Sequence, residues 1–123
     1  MQEDVDEITG QIIAAAIEVH RILGSGLLES IYEQALVVEL RLRGLDQQQV
    51  GVDVNYKNHL IAGQRLDLLV AGEVVVEAKS VKTIPEVAVA QVLSYLKATG
   101  LKRGLILDFG APRMVDGIKR VSL

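Results

Sequence analysis

The sequence predicts a mixed α/β sandwich, and three observations predict it. Two apolar stripes recur at helical spacing within the first 43 residues. From Val50 the period of the pattern changes to two. A further helical stretch then leads to a short, almost wholly apolar run at 104–109, the pattern of a buried strand.

Each element has its own signature. Asp4 with Glu7 reads as a capping box, and Ile8, Ile12, Ala16, Val19 and Leu23 follow at helical spacing. Gly24 and Gly26 end that helix. A second helix is predicted over about 27–43, with Leu28, Ile31, Ala35, Val38 and Leu42 as its apolar stripe, and Gly44 stops it. Val50, Val52, Val54 and Tyr56 alternate with Gly51, Asp53 and Asn55 in a half-buried strand, and Lys57-Asn58 reads as a turn. A second strand is predicted over 60–70 and a third over 74–79. Thr83 and Glu86 form another capping box, with Pro85 in the first turn of a helix that ends at Gly100. Gly110 and Pro112 break the strand at 104–109, and 118–121 reads as a last edge strand.

Composition narrows the function classes. The 123 residues suit one domain, 1–123, and half of them are apolar. Only four aromatic residues are present, so the core is aliphatic. No cysteine is present, which excludes disulfide scaffolds, thiolate metal sites and cysteine nucleophiles. Two histidines, His20 and His59, are too few for a multi-histidine cage; the first reads as a helix-end residue and the second as a residue after a turn. No apolar run approaches the ~20 residues of a membrane span. The acidic start, with Glu3, Asp4, Asp6 and Glu7, is opposite to a signal peptide. A soluble cytoplasmic protein with no membrane partner is therefore expected. The net charge of −3 hides an asymmetry: 1–56 carries ten acids and three bases, or −7, and 57–123 carries six acids and ten bases, or +4. Only the second half offers a basic surface to a polyanion.

The strands around Asp67 and Glu77 carry the chemistry. Leu66, Leu68 and Val70 share one face, as do Val74, Val76 and Ala78. Pointing both sets into one core requires Val70 opposite Val74, Leu68 opposite Val76 and Asp67 opposite Glu77, with Lys79 on the same side as the two acids. The connection must then have odd parity, or the ladder must carry a bulge. Two adjacent carboxylates repel unless a positive charge lies between them, either Lys79 or a divalent cation. Sparse oxygen ligands suit Mg²⁺ or Mn²⁺. A surface salt-bridge cluster of Asp67, Glu77, Lys79 and Arg65 is the plainer alternative. Glu29, Tyr32 and Glu33 share a helix face at i, i+3 and i+4, and Gln91 and Tyr95 lie at i, i+4 on the following helix. Taken singly, these read as helix-start electrostatics and a polar rim.

Together the pieces resemble a known pattern. Gly26, Glu29 and Tyr32 read as GxxExxY; Asp67, Glu77-Ala78-Lys79 and Gln91 with Tyr95 read as D, ExK and QxxxY. The chain resembles the GxxExxY proteins, a branch of the PD-(D/E)XK nuclease-like superfamily, over almost its whole length. The resemblance implies a restriction-endonuclease-like α-βββ-α-β core, with a mixed central sheet flanked by helices and an extra N-terminal helix. It implies that Asp67, Glu77 and the Ala78 carbonyl hold a metal ion, Mg²⁺ or Mn²⁺, and that Glu29 joins them directly or through water. Lys79 would orient or activate the attacking water, Gln91 would position Lys79 or the phosphate, and Tyr95 would line the groove. Lys82, Lys97, Arg65 and Tyr32 are the expected substrate contacts. Lys102, Arg103, Arg113, Lys119 and Arg120 are further candidates for a basic groove; each alone reads as solvated surface. Nucleic acid is the implied partner.

Two readings stand on the sequence: a metal-dependent nuclease acting on DNA or RNA, and a catalytically silent nuclease-fold module that binds or assembles. The long apolar N-terminal helix is a candidate surface for a homodimer.

Overall fold

A computed structural model describes residues 5–51, 53–61 and 65–123; the side chains of Val5, Val54, Arg65, Leu66 and Asp67 lie outside the described set. The elements run α1 (Val5–Leu23), α2 (Glu29–Leu42), β1 (Gln47–Gly51), β2 (Val54–Tyr56), β3 (His59–Ile61), β4 (Arg65–Val70), β5 (Val74–Lys79), α3 (Glu86–Thr99), β6 (Arg103–Asp108), a 3₁₀ turn (Met114–Gly117) and β7 (Ile118–Ser122). Five strands form one mixed sheet in the order β1-β4-β5-β6-β7. Among the described strands of this sheet only β5 and β6 pair in parallel, joined by α3, and the other neighbours are antiparallel. β7 is an edge strand, as its sequence suggests.

Alternation of side chains across β5 divides the interior in two. Val74, Val76 and Ala78 pack with Leu68, Val70, Leu105 and Leu107 beneath α1 and α2. Val75 faces the other way and packs with Ile106, Val121 and the α3 residues Ala88, Val92, Tyr95 and Leu96. The central strand therefore reads as an unbroken apolar run until its last residues.

The expected register is found where it is described: Val70 faces Val74 and Leu68 faces Val76. The connection is three residues long, 71–73, with Ala71 at φ 54° and Gly72 at φ 67°. Its odd parity keeps both apolar sets on one side. A bulge is present as well, against the other neighbour. Between Gln48↔Leu69 and Val50↔Leu66, β1 advances two residues and β4 three, so the extra residue lies on β4 at the Asp67–Leu68 backbone. Bulges bend and twist a strand locally and are frequent beside active sites.

Four expectations are corrected. The strand read over Val50–Tyr56 is two strands: β1 belongs to the main sheet, while β2 pairs with β3 in a separate hairpin. The predicted strand over 60–70 likewise divides into β3 and β4, with 62–64 outside the described residues. The Lys57-Asn58 turn is as expected, with φ of 48° and 66°. The capping box at Thr83 and Glu86 does not form; Pro85 is the N-cap of α3, extended at φ −71° and ψ 147°, with no side-chain cap. The box read at Asp4 and Glu7 includes a residue outside those described.

The fourth correction concerns α2. Its buried residues are Tyr32, Glu33, Leu36 and Leu40, whereas Leu28 and Leu42 of the stripe read from the sequence are 74% and 77% exposed. The helix carries two apolar stripes, and one aromatic contact selects between them. Tyr32 stacks on Phe109 with ring centroids 4.6 Å apart and planes at 5°. Its hydroxyl donates to the Gly24 carbonyl at 2.6 Å and accepts from the Leu27 amide at 3.1 Å. A buried ring with its polar end satisfied outweighs the aliphatic stripe. Tyr32→Phe keeps the stack and leaves both backbone groups without that partner. A loss of about 1–3 kcal/mol in urea denaturation is expected.

Candidate active site

The site lies where β5 runs out of the core. Glu77 and Lys79 are two residues apart on a strand and so share a face. Glu77 is 7% exposed, and its Oε1 meets the Lys79 ammonium at 3.2 Å. Its Oε2 is buried and has no hydrogen-bond partner among the described residues. A buried carboxylate oxygen left bare is costly, and such groups are retained where they take a ligand or do chemistry. Opposite Lys79 on β6 stands Asp108, also buried.

The loop that follows Lys79 is tied down by residues distant in sequence. The Ser80 amide donates to Glu29 Oε2 at 3.3 Å, and the Ser80 hydroxyl donates to the Leu27 carbonyl at 2.8 Å. These bonds bring the first turn of α2 to the end of β5. On the other side, Asp108 Oδ1 accepts from the amides of Val81 at 2.9 Å and Gly110 at 3.0 Å. The Phe109 amide donates to the Lys79 carbonyl at 2.8 Å. A Cβ at Gly110 would overlap the Val81 backbone, so only glycine permits this approach. His20, at the end of α1, donates through Nε2 to the Ala111 carbonyl at 2.9 Å. Ser80 and Asp108 are the contributors the sequence reading missed. A charged residue closing an apolar strand just before a glycine is the signal that would have pointed to Asp108.

The other expected site residues are placed as follows. Glu29 is exposed and reaches the loop after β5. Asp67 lies at the bulge on β4, one residue before Leu68, which faces Val76; its side chain is outside those described, as is that of Arg65. Ala78 is buried on the α1–α2 face of β5, opposite in direction to Glu77. Gln91 is half-buried on α3. Lys82 is exposed and lines a cleft of about 480 Å³ with Thr83, Asp108 and Lys119.

Three placements correct the expectations. Tyr32 is fully buried with its hydroxyl engaged, so it does not meet substrate. Tyr95 is 6% exposed and packs among Val75, Val92 and Ile106 in the second core. Lys97 lies in the last turn of α3. Because β5 and β6 are parallel, α3 must run back from the Lys79 end to the start of β6, where Arg103 pairs with Val74. Lys97 is thus carried about 16 Å along the helix from Glu86, away from the site.

A family model described as the PD-(D/E)XK nuclease superfamily matches residues 6–121. The chain belongs to the PD-(D/E)XK nuclease superfamily. Its three helices and mixed five-strand sheet agree with the restriction-endonuclease-like fold of that superfamily. No curated protein and no solved structure matches it. No described helix is long and apolar enough to cross a membrane.

Superfamily nucleases generally depend on a divalent metal. Among the described residues, no three histidine or carboxylate side chains gather into a metal-holding group. What fits such an ion is Glu77 Oε2, a hard oxygen donor with no hydrogen-bond partner among the described residues. The same observation yields a stability test. Glu77→Gln in the presence of a chelator is expected to keep or raise the melting temperature, because a desolvated charge is removed while the Lys79 side chain, 21% exposed, retains its access to solvent. A Mg²⁺-induced rise in melting temperature should be present in the wild type and absent in Glu77→Gln. A fall of about 3 kcal/mol in the variant would show instead that the Glu77–Lys79 pair is a structural salt bridge.

Proposed function

We propose that this chain is a metal-dependent nuclease of the GxxExxY branch that hydrolyses phosphodiester bonds in DNA or RNA. The observation that carries this reading is Glu77: a buried carboxylate with one oxygen on Lys79 and the other without a hydrogen-bond partner among the described residues, near the end of a strand that is apolar up to that point. Glu77 and Asp67, with the Ala78 carbonyl, would hold Mg²⁺ or Mn²⁺, and Glu29 would join directly or through water. The bound ion would supply charge stabilisation at the phosphate and a lower pKa for water. Lys79 is repelled by a cation, so its partner in the reaction is the attacking water or a phosphate oxygen. Its attachment to Glu77 holds the ammonium in place before substrate arrives. Gln91 would position Lys79 or the phosphate. Lys82, in the loop after Lys79, supports the polyanion, whereas Lys97 is withdrawn from the groove.

A second reading has its own supporting observation. The outward stripe of α2 leaves Leu28, Ile31, Val38 and Leu42 in solvent. A catalytically silent module that assembles with a second copy would cover such a stripe.

The deciding assay incubates the protein with labelled single- and double-stranded DNA and RNA in Mg²⁺, in Mn²⁺ and in chelator. Cleavage is expected with metal only. Lys79→Ala should lower the rate about 10²–10⁴-fold while metal binding by calorimetry persists. Asp67→Ala should lose both. Equal cleavage by both variants would reveal a contaminant. Inactivity of the wild type on every substrate, with a dimer in sedimentation, would favour the assembly module.

A further inference from the structure

None of the described side chains of the β2–β3 hairpin belongs to either core. The hairpin forms its own two-stranded sheet. Tyr56, Leu60 and Ile61 stand 57%, 71% and 51% exposed on it. Two strands alone are marginally stable in water, and large apolar side chains on such a ribbon call for a partner.

The charge of the hairpin says what that partner is. Residues 54–61 include Lys57 and His59 and no aspartate or glutamate, in a chain of net charge −3. Lys57 occupies a left-handed position, φ 48°, in a turn where glycine or asparagine is the residue of low cost. A cation is therefore kept at the tip against backbone preference. Its ammonium lies 5.5 Å from the centre of the Tyr56 ring, so charge and aromatic face form one unit. A ring beside a cation is the pairing that unpaired nucleic acid uses, with a base on the ring and a phosphate on the cation.

Connectivity places this unit relative to the site. Gly51 pairs with Arg65, and Arg65 precedes Asp67 by two residues. The hairpin is thus rooted at the end of the β1–β4 ladder that carries Asp67. Its tip is six residues beyond Gly51, a reach of at most about 20 Å.

We propose that the β2–β3 hairpin is an arm that holds a single-stranded segment of nucleic acid beside the phosphodiester site, with Tyr56 stacking on a base and Lys57 meeting a phosphate. The proposal rests on the nuclease reading above and assigns single strands, or unpaired stretches, as the substrate class. Residues of the arm position the strand and do not enter the chemistry.

The test is fluorescence anisotropy with labelled single-stranded and duplex oligonucleotides, using wild type, Tyr56→Ala and Lys57→Gly. Glycine suits the turn, so Lys57→Gly removes the charge without strain; circular dichroism melts confirm that both variants fold. Tyr56→Ala should weaken single-strand binding about fivefold to a hundredfold. Lys57→Gly should lower the slope of log affinity against log salt by about 0.7, one phosphate contact. Mg²⁺ binding by calorimetry should be unchanged in both. Single-strand affinity within twofold of wild type in both variants overturns the arm. Binding and cleavage of duplex alone also overturn it and leave the nuclease reading standing. A wild type that neither binds nor cleaves any nucleic acid sinks that reading and the arm with it. A concentration-dependent dimer lost in Tyr56→Ala assigns the hairpin to a second copy, which again overturns the proposal.

Discussion

Burial of β5 on both faces is the constraint on which the rest depends. Its side chains alternate between two apolar cores, one beneath α1 and α2 and one beneath α3. Such a strand tolerates no solvent-seeking group along its length, so polar residues are admitted only where it emerges. Glu77 and Lys79 occupy that emergence, partly desolvated by their neighbours and ion-paired to each other. Low surrounding polarity strengthens any charge interaction made there.

Preorganisation of this end comes from bonds that cross the chain. Ser80 is held by the first turn of α2, and Val81 by Asp108 at the end of β6. The loop carrying the residues after Lys79 is thereby fixed between two rigid elements. Tyr32 and Phe109 form the packed link between those elements, since Tyr32 belongs to α2 and Phe109 follows β6. One stack thus sets both which face of α2 is buried and how its first turn meets the site.

The direction of the strands decides which basic residues can act. Parallel pairing of β5 with β6 forces α3 to return toward the start of the sheet. The first residues of the β5–α3 loop, Lys82 among them, stay near Lys79, and the last turn of α3, with Lys97, is carried away. Asp108 and the cleft it shares with Lys119 also lie at the Lys79 end. A count of positive charges in the second half of the chain contains none of this information.

By itself the sequence determined that two helices precede the strands and a third joins β5 to β6, the turn at Lys57-Asn58, and the described part of the β4–β5 register. These follow from local periodicity, from turn chemistry and from the need to bury two alternating apolar sets on one side. It also determined the ExK pair, because residues two apart on a strand must share a face. Tertiary structure alone decided which stripe of α2 faces inward, because two stripes of similar hydrophobicity are separated only by the partner ring of Phe109. It alone split the Val50–Tyr56 run between a sheet and a hairpin, since alternation does not say which strand will accept the ladder. It alone joined Glu29 to Ser80 and Asp108 to Val81, contacts spanning 51 and 27 residues. Such pairs leave no periodic trace, because their proximity is a property of how the layers stack and not of any local stretch of chain.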